Sequence, residues 1–160
     1  MEQGNHEPFM RRAIALGRKA ALEDRIGGPF GAVVVRNGEI VGEGHARIAV
    51  ENDPTWHAEM AAIRDAARRL GTYDLSGCIM YTSCECCAMC HAACWRAKIA
   101  RIYYSATVED LQIYGRPGDT RPRGNFVLPQ PERWMPVEQI MHDEMVEVWR
   151  AFQQQGDKMP

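Results

Sequence analysis

No stretch of this chain reaches the roughly 18 consecutive apolar residues that a membrane-spanning helix needs. The opening residues, MEQGNHEPFMRR, also lack the apolar run of a secretory signal, so a cytoplasmic protein is expected. There is no excess of positive charge: 19 Lys and Arg face 21 Asp and Glu, a formal net charge of −2. That balance disfavours a nucleic-acid partner, whose phosphates call for a strongly basic surface. Internal repeats, low-complexity segments and linkers are missing, and 160 residues with 46% hydrophobic content suit one core. A single domain over 1–160 is expected. Cysteine is absent outside a short window, with all six falling between Cys78 and Cys94. Such clustering suits metal ligation in a reducing compartment better than a disulfide framework.

The pattern along the chain alternates helices with short apolar strands. Phe9, Ala13, Leu16 and Ala20 share a helical stripe within about Asn5 to Asp24. Gly27, Gly28 and Pro29 break it, and FGAVVV, Asn37-Gly38 and EIVGEG then read as a two-residue β-hairpin. Asp53 is the expected cap of a helix with Pro54 in its first turn, running through HAEMAAIRDAARRL and stopping at Gly71. CIMYT reads as a buried strand leading directly into the helix CCAMCHAACWRAKI, and RIYYSA as a further strand. The Pro, Gly and Arg content of Val108 to Pro131 predicts an irregular loop, long enough to be functional. An edge strand near Trp134 to Gln139 and a last helix from Asp143 complete the expected set. The fold class is α/β, a sheet covered by helices on both faces, with ligands expected where strands end and helices begin.

Two motifs sit at such helix starts. In His57-Ala58-Glu59, residues two apart on a regular helix point about 200° away from each other, so both cannot ligate from one face. Both can reach a point off the helix N-terminus, His57 as ligand and Glu59 as a carboxylate that collects a proton from water. In SCECCAMC, Cys84 and Cys87 repeat the spacing of Cys87 and Cys90. A helix beginning near Cys87 favours the later pair, whose thiolates then share its first turn. Cys78 and Cys94 read as small buried apolar residues. One His and two Cys leave a fourth tetrahedral position for water, the mark of a catalytic zinc site; a closed structural site with Cys84, Cys86 or His91 as fourth ligand is the alternative.

HAE followed by a C-x-x-C helix start resembles the cytidine-deaminase-like superfamily. IGGPFGAVVV, NDPTWHAEM and the later WRAF are most similar to its bacterial guanine deaminase branch. The resemblance spans nearly the whole chain. It implies a three-layer α/β/α sandwich around a five-stranded mixed sheet. It further implies Zn²⁺ held by His57, Cys87 and Cys90, with Glu59 as catalytic proton shuttle. The reaction implied is hydrolytic deamination of an amino-substituted nucleobase, guanine or a guanine-like heterocycle, releasing ammonia. Cytosine or another pyrimidine, a tRNA adenosine and a noncatalytic zinc module are the alternatives in that order. By the same resemblance the backbone around Ala58 and Cys87 holds substrate, Phe30 lines the pocket, and the chain forms a homodimer in which residues 141–160 or so are exchanged.

Three departures stand out. The family's prolines flanking the first motif cysteine are replaced by Cys86 and Ala88, which loosens the turn without removing a ligand. Ala46 occupies the place of a substrate-binding asparagine, with His45 beside it as a substitute whose strand position points to the other face. The Phe-Asp-Asp segment that reads guanine is replaced by YGRPGD, leaving Asp119 as the candidate acidic reader and Arg116 and Arg121 as candidate contacts for a carbonyl-rich substrate.

Overall fold

A computed structural model describes residues 6–114 together with Met141, His142 and Val146. The chain divides into two compact units, residues 1–121 and 122–160, and every element described here belongs to the first. Strands β1 (Gly31–Arg36) and β2 (Glu39–His45) form the expected hairpin. Its two turn residues take φ of 53° at Asn37 and 79° at Gly38, the left-handed pair that a tight hairpin turn demands and that Asn-Gly supplies at low cost. Strands β3 (Ile79–Cys84) and β4 (Arg101–Ala106) complete a sheet ordered β2-β1-β3-β4. β1 is antiparallel to both its neighbours, and β3 and β4 are parallel. The carboxyl ends of β2, β3 and β4 therefore share one rim of the sheet with the amino end of β1.

Helix α1 (Glu7–Arg18) begins with Glu7 and Pro8 and runs into a wider π turn over Lys19–Glu23. It covers one face of the sheet, where Ala13, Val33, Val35 and Tyr81 are buried with Phe9 and Tyr103 packed against them. Tyr81 stacks on Tyr103 with 5.2 Å between ring centroids, and its hydroxyl lies 2.7 Å from His6 Nδ1. The other face carries α3 (Ala58–Leu70) and α4 (Ala88–Arg96) over a core that includes Ala32, Val34, Ala62, Met80 and Cys94. Here α3 lies directly on β2. A Cβ built at Gly44 would clash with the Ala58 carbonyl oxygen, so glycine is what permits the approach. Helices on both faces give the expected α/β/α layering.

Several local expectations are corrected. The described residues hold four strands rather than five; the edge strand expected at Trp134 to Gln139 and the helix expected from Asp143 lie outside the described residues. Asp53 does not cap α3. Its carboxylate accepts from the amide and hydroxyl of Thr55 at 2.8 and 2.7 Å, closing a turn that ends the sequence Asn52-Asp53-Pro54 before the helix begins. A short helix α2 (Ile48–Glu51) precedes that turn. Residues Val108–Tyr114, expected as loop, form helix α5. Its start is a reciprocal capping box: the Thr107 amide donates to Asp110 Oδ2 at 2.8 Å and the Asp110 amide to Thr107 Oγ1 at 3.1 Å. Among the described residues no helix is long and apolar enough to cross a membrane.

Candidate metal centre

His57 stands at the N-cap of α3 with extended backbone, φ −76° and ψ 159°. The 200° separation expected inside a helix therefore does not apply, and His57 and Glu59 turn toward the same point. Cys87 occupies the matching place on α4, at φ −68° and ψ 170°, and Cys90 follows in the first turn. Each helix starts on the rim just described, α3 after β2 and α4 after β3. Two helix N-termini thus converge on one spot, where the Cys90 amide donates to the Cys87 sulfur, which favours thiolate over thiol.

The donor atoms meet there. Cys87 Sγ lies 3.7 Å and Cys90 Sγ 3.5 Å from His57 Nδ1, and all three donors fall within 4.8 Å of one another. Zinc bonds of ordinary length to sulfur and imidazole nitrogen imply S···N edges of roughly 3.6 Å in a tetrahedron. The residues present therefore fit the ion without rearrangement, and the donor set is the borderline-soft one that zinc prefers. The hydrogen bond from Cys90 pulls the Cys87 thiol down to about 3, against the opposing effect of burial, with His57 adding to the pull. Cys90, buried against Cys87 and Glu59, is pushed up instead.

Glu59 is almost fully buried, at 7% exposure. Cys90 Sγ donates to its Oε2 at 3.4 Å, and the Thr82 hydroxyl donates to its Oε1 at 3.3 Å. A carboxylate is thus held beside the donor set without belonging to it.

The remaining sequence candidates separate clearly. Among the described residues the only group of metal donors is His57, Cys87 and Cys90. Cys84 ends β3 with its thiol on the Thr107 carbonyl oxygen at 3.8 Å, and His91 is exposed on α4. Cys86, a free thiol, is hydrogen-bonded to Cys94 and desolvated beside Glu59, which raises its pKa far above the ordinary range. Cys78 and Cys94 are buried apolar residues as expected. Phe30 packs against the core cluster that contains Ala58. Ala46 is buried, its amide donating to the Phe30 carbonyl at 3.1 Å, and its methyl offers no polar contact. His45 alternates with Gly44 along β2 and so faces the α1 side, where burial and Arg47 lower its pKa. It does not stand in for the missing asparagine. Asp119, Arg116 and Arg121 lie outside the described residues.

Two residues were not anticipated. Thr82 lies within the buried strand CIMYT, where its hydroxyl, on the same face as Met80, is the available signal. Ser83, on the opposite face, accepts from the Gly31 amide and donates to the Pro29 carbonyl, both at 3.0 Å. It brackets Phe30 from both sides.

Residues 3–106 match the profile of the cytidine and deoxycytidylate deaminase zinc-binding region. The guanine deaminase of Bacillus subtilis is 40% identical over 151 residues, 92% of this chain and 96% of that protein. Its X-ray structure superposes with a TM-score of 0.86 at 36% identity, covering 98% and 99% of the two chains. A tRNA-specific adenosine deaminase of Aquifex aeolicus is 38% identical, over 62% of this chain and 65% of that one. With a buried carboxylate set beside an imidazole and two thiols that fit zinc, and with these matches, the chain belongs to the zinc-binding cytidine and deoxycytidylate deaminase family.

Proposed function

We propose that this protein deaminates guanine or a closely related aminopurine by hydrolysis, giving the oxo-heterocycle and ammonia. One observation carries the choice of substrate: the match to the guanine deaminase runs through 92% of the chain, whereas the match to the tRNA adenosine deaminase stops at 62%. The net charge of −2 supports a small substrate over a nucleic acid. A homodimer working in the reducing cytoplasm, where the six free thiols persist, accords with the same reading.

In this reading His57, Cys87 and Cys90 hold Zn²⁺, which makes a hydrolytic nucleophile available at neutral pH. Glu59 does the proton work. Its Oε2 faces the donor set, takes one proton from water and passes it to the ring nitrogen as the oxygen adds to the ring carbon; it then carries the remaining hydroxyl proton to the amine as the C–N bond breaks and ammonia leaves. The burial of Glu59 keeps bulk water from exchanging that proton during the transfer. Phe30 supplies an apolar wall for a flat ring, and the amides at the starts of α3 and α4 supply donors for the oxygen that replaces the amine. Ala46 marks the part of the pocket where selectivity among bases is set, and Asp119 is the acidic residue proposed to read the substrate.

The test is ammonia release from guanine, isoguanine, cytosine, adenine and their nucleosides by the zinc-loaded protein. Guanine is expected to give the highest kcat/KM, and Glu59→Ala to lose at least ~10³-fold in kcat while keeping about one zinc per chain. Preference for a pyrimidine would overturn the substrate, and full activity in Glu59→Ala would overturn the mechanism.

A further inference from the structure

Thr82 is 2% exposed, and its hydroxyl has one proton and two acceptors in reach, Glu59 Oε1 at 3.3 Å and the Cys84 carbonyl oxygen at 3.1 Å. A carboxylate draws such a donor more strongly than a neutral carbonyl. The second carboxylate oxygen accepts from the Cys90 thiol. A cysteine holding a metal would do so as thiolate, and this second donation would then be lost. The Thr82 hydroxyl keeps its proton in both states.

We infer that Thr82 is a positioning residue for the reaction: it holds Glu59 by Oε1, keeps the carboxylate from turning onto the metal as a fourth protein ligand, and reserves Oε2 for the proton. The inference rests on the deaminase reading and adds a residue to it. Its chemistry is economical. Glu59 Oε2 lies 3.4 Å from the sulfur of Cys90, so a carboxylate without an anchor would be free to turn toward a metal held there. Ligation would fill the position that water needs and leave no group to accept its proton. An anchor on β3, the rigid centre of the sheet, prevents both at once. The competing role, serving only the Cys84 carbonyl, concerns the strand end and touches no reacting group.

Thr82→Val removes the donor at nearly constant volume, and Thr82→Ser restores it. In the zinc protein, Thr82→Val is expected to lower kcat roughly 10- to 100-fold, the range for groups that orient a metal site from behind. KM should stay within about twofold, and Thr82→Ser should recover most of kcat. In cobalt-substituted protein the visible absorption of Thr82→Val should change as Glu59 enters the coordination sphere. Thr82→Ser should match wild type, and Thr82→Val combined with Glu59→Ala should match Glu59→Ala alone. The inference is overturned if Thr82→Val keeps wild-type kcat while Glu59→Ala is inactive, or if Thr82→Ser is as impaired as Thr82→Val. Full activity in Glu59→Ala would instead defeat the proton role of Glu59, and no ammonia release by the wild type from any base would defeat the deaminase reading; the cobalt spectra then decide alone: an unmoved Thr82→Val spectrum removes the hold on Glu59.

Discussion

Tyr81 and Thr82 are neighbours on β3, and they look into different environments. Tyr81 faces α1, where it stacks on Tyr103, packs against Phe9 and meets His6. Thr82 faces α3 and α4, where the residues around it are small and the helices come close enough to place His57, Glu59, Cys87 and Cys90 together. The aromatic side gains its cohesion from large contacts that tolerate small shifts of a ring. The site side gains its geometry from glycine and alanine, whose short side chains fix the separation of helix and strand through backbone contact. Strength and positional accuracy are thus assigned to opposite faces of one sheet.

That division can be challenged by substitution. The largest effect is expected from Gly44→Ala, because the new methyl meets the Ala58 carbonyl oxygen and α3 must move. A stability loss of ~1–3 kcal/mol is expected from overpacking, measured by urea unfolding. A fall in kcat should accompany it, since His57 and Glu59 ride on the start of that helix. Unchanged kcat would show that the site tolerates slack. Tyr81→Phe should cost about 0.5–1.5 kcal/mol through the lost bond to His6. It should leave kcat and KM untouched, and a change in either would couple the two faces. Smallest is Arg12→Met. Arg12 donates two hydrogen bonds to Glu43, both at 2.7 Å, and holds that carboxylate below its usual range. A lowered pKa adds stability above the ordinary carboxylate value and loses it as pH falls through the depressed one. Because Arg12 is 47% exposed, the contribution is under ~1 kcal/mol. The unfolding curves of Arg12→Met and wild type should differ at pH 7 and converge in acid.

Features set by a few adjacent residues were legible in the sequence. Asn37-Gly38 announced the hairpin, Gly71 ended α3 at φ 66°, and the choice of Cys87 and Cys90 over Cys84 and Cys87 followed from where α4 had to begin. Features that depend on distant partners were not. Asp53 looked like a cap because its preference for accepting amide bonds is real, yet Thr55 satisfied it first. The hydrogen bond of Thr82 to Glu59 joins residues 23 apart, and nothing local announces it. The Thr107 and Asp110 box at α5 was local but was outweighed by the Pro and Gly that follow it.

The hairpin tip has a practical meaning. Asn37 and Gly38 sit at the end of β1 and the start of β2, the end of the sheet opposite to the rim that carries the donors. A Cβ at Gly38 would meet nothing within 4 Å. A reporter peptide or fluorophore spliced between these two residues lengthens an exposed turn at little entropic cost. It gives an attachment point for following metal loading and substrate turnover without intruding on either.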